Sequence, residues 1–108
     1  MQFEDYQRLA SVTAIYPNKG NNLYYPALGL GESGEVQNKV KKVMRDHNGI
    51  VSEEYRKEIS KELGDILWYI AAMCEELGID MDDVAQDNID KLYKRMRENK
   101  LKGDGDNR

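Results

Sequence analysis

Apolar side chains recur every third or fourth residue in four stretches of the chain, a spacing that places them on one face of a helix. Phe3, Tyr6, Leu9, Ala10, Thr13 and Tyr16 mark the first. The second runs from about Leu28 to Asp46, with Val36, Val40, Val43 and Met44 as its stripe. Ile59, Leu63, Ile66, Ile70, Met73 and Leu77 mark the third. Ser52, followed by Glu53 and Glu54, supplies its N-cap and first-turn acids, and Gly78 its stop. The fourth starts at Asp80, has Asp82 and Asp83 near its positive end, and turns Met81, Val84, Ala85, Ile89, Leu92 and Met96 inward. Both prolines, Pro17 and Pro26, fall in YPNKGNNLYYPALG, the one long loop, while HNGIVS divides the second helix from the third. Strand-type alternation and internal repeats are absent. The pattern predicts an all-α, four-helix bundle protomer: one domain over residues 1–98 and a polar, Gly-rich tail over 99–108.

The third helix also bears on assembly. From Ile66 to Cys74 it is apolar or nearly so around its whole circumference. At about 100° per residue, Trp68 points away from the stripe of Ile59, Ile66 and Ile70. A helix apolar on all sides has to be covered on all sides. The expected cover is a second copy in an obligate oligomer; the alternative lays Trp68 against the long loop.

At 108 residues there is room for one domain, and a chain 40% hydrophobic and 33% charged is a folded, water-soluble one. Lys plus Arg is 16 against 20 for Asp plus Glu, a net charge of -4. Nucleic acid and anionic membranes both need a positive field, so neither is expected as a partner. The run from Ile66 to Cys74 is far short of the roughly 20 residues that cross a bilayer. MQFEDYQRL lacks the basic start and apolar run of a signal peptide, and the expected location is cytoplasmic. One cysteine excludes an internal disulfide and a Cys-built zinc site. One histidine, His47, excludes a di-iron site built on two ExxH motifs, and no GxSxG elbow is present. Any chemistry falls to carboxylates, amides, Lys and Arg.

Two motifs supply carboxylates in pairs. Glu32-Ser33-Gly34-Glu35 lies on the second helix and Glu62-Leu63-Gly64-Asp65 on the third. Spacing i, i+3 puts both acids of a pair on one helix face, a turn apart. Each pair flanks its apolar stripe, so antiparallel packing of the two stripes makes the four carboxylates converge. Without a cation such a cluster repels itself. A hard divalent ion relieves the repulsion, and Mg²⁺ takes oxygen ligands and bridges carboxylates to phosphates. Gly34 and Gly64 each weaken a helix interior by up to about 1 kcal/mol, which calls for close backbone approach or room for a ligand. A plainer reading pairs Glu35 with Lys39 at i+4, although Glu62 and Asp65 have no basic residue at that spacing. On the fourth helix Asn88 interrupts the apolar stripe, with Lys91 and Arg95 along the same edge. An amide with two cations suits a triphosphate; alternatively Asn88 bonds a neighbouring helix.

GLGESGEV followed by KELGDILWYIA, with 26 residues between Glu35 and Glu62, resembles the MazG-like, all-α nucleoside triphosphate pyrophosphohydrolases. DCTP pyrophosphatases and dimeric dUTPases are relatives of that family. DNIDKLYKR looks like its Asn-x-x-Lys helix and GDGDNR like the ending of its small members. One departure is Gly31, where many members have the first of two consecutive acids; the GExGE form looks like that of dCTP-pyrophosphatase-type members. The resemblance implies that Glu32, Glu35, Glu62 and Asp65 ligate Mg²⁺, with Mn²⁺ able to substitute. It implies water attack at the α-phosphorus, giving nucleoside monophosphate and pyrophosphate, with Glu32 or Glu35 taking the water's proton. Lys91 and Arg95 would hold the phosphate tail, Asn88 phosphate, sugar or base, and Gln7, Tyr24 or Trp68 would lie against the base. It also implies a dimer or a tetramer. The rival from another class is a non-enzymatic helical interaction module whose acids are surface charge.

Overall fold

The structure, a computed structural model, describes residues 1–99, so most of the expected tail lies outside the described residues. Its elements are α1 (Phe3–Val12), α2 (Tyr24–Gly29), a 3-10 turn (Leu30–Glu32), α3 (Ser33–Asp46), α4 (Glu53–Leu77) and α5 (Met81–Arg97). Among the described residues there is no strand, and the all-α class holds.

The first two predicted helices are reshaped. α1 stops at Val12, where the Thr13 backbone N–H and hydroxyl both donate to the Ala10 carbonyl. Tyr16 therefore lies beyond the helix, and as the residue before Pro17 it is biased away from helical geometry. Within the expected long loop sits α2. Asn22 Oδ1 accepts the Tyr25 N–H, and Pro26 occupies the first turn, where its missing N–H has no intrahelical partner to lose. The second predicted helix thus becomes α2, the 3-10 turn and α3.

The α4 boundaries follow the sequence signals. Ser52 Oγ accepts the Tyr55 N–H at 3.1 Å, and Gly78, at φ 66°, closes the helix in the left-handed conformation that favours glycine. α4 is the spine, packing against α1, α2, α3 and the 3-10 turn, while α5 packs against α1. Ala10, Ala71, Cys74 and Met81 form the core, with Tyr6, Leu67, Trp68 and Ile70 around them.

Asp80, expected to open α5, makes no side-chain cap; Gln7 of α1 takes over that task. Its Oε1 accepts the Met81 N–H at 2.7 Å and its Nε2 donates to the Ile79 carbonyl at 2.9 Å. This buried amide welds α1 to the α4–α5 turn.

Trp68 is half-buried, packed against the C-terminal end of α1 and the residues just after it. Its Nε1 donates to Thr13 Oγ1 at 2.8 Å, and its ring lines a ≈ 10 Å³ cavity with Ala10, Ala14 and Tyr16. The uncovered apolar surface lies elsewhere. Val84, Ile89 and Met96, expected inside, are exposed because α5 meets α1 and little else. Val40, Met44 and Leu63 are exposed on the α3–α4 hairpin.

Replacing Gln7 with Leu strands the buried Met81 N–H and the part-buried Ile79 carbonyl. The expected loss is about 1–3 kcal/mol, chiefly from the buried N–H, read as a lower urea midpoint with an unchanged slope.

Candidate active site

Glu32 ends the 3-10 turn and stands at the start of α3 with helical backbone angles (φ -65°, ψ -8°), so Glu35 still follows one turn later. Three cross-helix contacts set the register of α3 on α4. The Tyr69 hydroxyl donates to Glu32 Oε1 at 3.3 Å. Lys39 Nζ lies 4.0 Å from Glu62 Oε1 and 3.7 Å from Glu58 Oε2. The His47 ring meets the edge of Tyr55 at 5.1 Å. Each step forward on α3 is matched by a step back on α4, so the helices are antiparallel. Asp65 then falls between Glu62 and Tyr69, opposite the turn that begins at Glu35. Glu35 and Asp65 are thus level, while Glu32 and Glu62 lie to opposite sides of them, about 10 Å apart along the hairpin.

Glu32 and Asp65 line one open cleft of ≈ 380 Å³, walled by Thr13, Tyr25, Trp68 and Tyr69. Burial, and after it the Glu32 and Asp65 carboxylates, pushes the Tyr69 hydroxyl above its ordinary range. Burial, then the Asp65 charge, does the same to Tyr6. Glu35 is exposed one turn from the cleft, and Lys39 bridges to Glu62 across the hairpin rather than to Glu35 along its own helix. Among the described residues, no three of Asp, Glu, His and Cys gather as a ready-made metal cluster. Two of the four expected acids, Glu32 and Asp65, share the cleft, and Glu35 and Glu62 do not line it. An all-oxygen set of this kind suits a hard divalent cation.

Gly34 and Gly64 have nothing within 4 Å of where a β-carbon would stand, so close backbone approach is not their purpose and open room is what they leave. The crowded glycine is Gly29, where a β-carbon would overlap the Tyr69 ring.

The other expected ligand-binding residues scatter. Trp68 is on the cleft. Tyr24 is 75% exposed and outside it; its neighbour Tyr25, turned about 100° further round α2, lines it instead. Gln7, expected against the base, has its carbonyl and an amide hydrogen committed to the α4–α5 turn. Asn88 is exposed rather than buried, and with Lys91, Val84 and Asp87 lines a separate ≈ 340 Å³ cleft on α5. Arg95, expected at a phosphate-binding edge, is buried at 4% exposure, because it falls on the stripe of Met81 and Leu92.

A family model, the MazG nucleotide pyrophosphohydrolase domain, matches residues 21–99. The chain belongs to the MazG family. It is also 42% identical, over 114 aligned residues covering the whole of both chains, to the Gene 37 protein of Mycobacterium phage L5. No solved structure matches it significantly. The MazG match takes in both acid motifs and leaves out α1, which supplies the Thr13 side of the cleft by way of its C-terminal end.

Sequence reasoning missed Glu76, which fixes the loop ahead of this MazG span. Its carboxylate accepts from the Tyr16 hydroxyl (2.5 Å) and from the Gly20 (3.0 Å) and Asn22 (3.3 Å) backbone N–H groups. An acid in the last turn of a helix opposes the dipole, and that was the available signal of a compensating partner. Tyr16 in turn stacks on Tyr25 (4.5 Å, 7°), and Tyr25 lies 6.4 Å from Tyr69, so the loop anchor and the cleft are joined by stacked rings.

The Tyr16 hydroxyl, chiefly through that bond, holds Glu76 below the usual carboxylate range. Burial first, and then Glu76, pushes Tyr16 up to about 12. The Glu76 contribution is complete above the ordinary carboxylate pKa and lost as pH falls through the depressed folded value. The Tyr16 contribution is complete below the ordinary tyrosine pKa near 10 and lost as pH rises through about 12. Loop protection, followed by amide hydrogen exchange at Gly20 and Asn22, is expected to fall below about pH 4 in the natural chain. In Glu76→Gln it is expected to be weaker at neutral pH and insensitive to acid.

Proposed function

We propose that this MazG-family chain is a Mg²⁺-dependent nucleoside triphosphate pyrophosphohydrolase, converting (d)NTP to (d)NMP and pyrophosphate in nucleotide-pool control. The supporting observation is that one acid from each motif, Glu32 and Asp65, lines the same aromatic-walled cleft. Glu32, Glu35, Glu62 and Asp65 would hold the magnesium, and Mn²⁺ would serve in its place. When bound, the ion supplies neutralisation of phosphate charge and a lowered pKa for bound water. Glu32 or Glu35 takes the proton of the water that attacks the α-phosphorus, and pyrophosphate leaves. Trp68 and Tyr25 line the cleft and are the aromatic surface against which the base would lie.

Asn88 and Lys91 lie in a cleft of their own on α5. In this reading a second copy brings them to the phosphate tail, and the exposed Ile89 and Met96 are what the copies bury. Among the described residues no helix is long and apolar enough to cross a membrane, which accords with a nucleotide substrate taken from solution.

Purified protein with Mg²⁺ and mixed dNTPs is expected to release pyrophosphate and monophosphate. Glu35→Gln and Asp65→Asn are each expected to lower kcat at least about 100-fold with the fold retained, and chelation to abolish turnover. Orthophosphate as the first product overturns the α-attack. Sedimentation is expected to give a dimer or tetramer that Ile89→Glu dissociates; a stable monomer at micromolar concentration overturns the shared site.

A further inference from the structure

We infer that Tyr69 is a positioning residue for the acid site: its hydroxyl aims the Glu32 carboxylate into the cleft across from Asp65. The inference rests on the metal-binding reading above and goes beyond it, since Tyr69 belongs to neither acid motif. Tyr69 stands four residues after Asp65 on α4, hence on the same helix face, and its hydroxyl crosses to Glu32 at the head of α3. It is thus the side chain that touches one acid motif and continues the other. Among the described residues the Glu32 carboxylate has no other hydrogen-bond partner. Its carboxylate is exposed, on a side chain with three rotatable bonds, and without the Tyr69 bond nothing directs it inward.

The donor is itself immobilised. The ring fills the space left by the missing side chain of Gly29, meets Trp68 edge-on at 5.3 Å, and is backed by Tyr25. Held in this way, the hydroxyl reaches Glu32 Oε1 as the donor. A ligand aimed in advance loses less conformational freedom when the ion arrives, and removing the outer partner of a metal ligand commonly weakens binding 10- to 100-fold.

The test is Mn²⁺ binding to the full chain without nucleotide, followed by calorimetry, with Mg²⁺ half-saturation and the kcat–KM split measured alongside. Tyr69→Phe keeps the ring and removes the hydroxyl. Its expected effect is about a tenfold loss of Mn²⁺ affinity. The Mg²⁺ half-saturation is expected to rise in proportion, and kcat to fall with little change in nucleotide KM. Packing alone moves none of these, because the ring remains. In a Glu32→Gln background, removing the hydroxyl is expected to have no further effect on Mn²⁺ affinity. An unchanged affinity in Tyr69→Phe, or an equal loss in the Glu32→Gln background, overturns the positioning role while leaving the metal reading intact. A natural chain that binds no Mn²⁺ at all overturns that reading, and this inference with it.

Discussion

The antiparallel register of α3 on α4 governs the rest of the molecule. A slip of one residue on either helix turns its side chains by about 100° and separates Glu32 from Tyr69 and Lys39 from Glu62. The register is held by side-chain contacts at three levels, from the Glu32–Tyr69 hydrogen bond at the cleft to the His47–Tyr55 ring contact at the hairpin's far end. Val43, almost fully buried on α3, supplies the apolar part. Lys39 has a particular place in this arrangement. Set between Glu58 and Glu62, it supplies positive charge to a strongly acidic region of α4, and so lowers the repulsion that uncompensated carboxylates impose on the hairpin.

A second constraint holds the cleft's far wall. α1 reaches the rest of the protein through Gln7, Ala10 and Thr13, and each grips a different target: the α4–α5 turn, the core and Trp68. The Glu76-anchored loop then carries the chain from α1 to α2, where Tyr25 completes the wall. The cleft is therefore assembled from segments far apart in sequence, with α4 as their common support.

What the sequence disclosed follows from the range of the forces involved. Helix periods, the Ser52 cap and the Gly78 stop are local, and they placed α4 correctly at both ends. The acid motifs were visible because two pairs at i, i+3 spacing are local as well. What stayed hidden depends on partners distant along the chain. Gln7 resembles a free polar contact until the Met81 N–H is found beside it. Trp68 resembles an orphan until Thr13 is. α2 was missed because its proline reads as a breaker, although in the first turn it breaks nothing. Asn88 and Arg95 exchanged places because periodicity identifies a helix face without saying how far along it the neighbouring helix extends.

Trp68 is the chain's one tryptophan, and its indole borders both the α1 core and the cleft. Its emission therefore carries two signals from one chromophore. Loss of the Thr13 bond and of the surrounding packing exposes the indole to water and moves the spectrum to the red. A planar aromatic ligand settling beside it quenches the intensity with little change in colour. Melting and occupancy can accordingly be followed in the same cuvette, without a label.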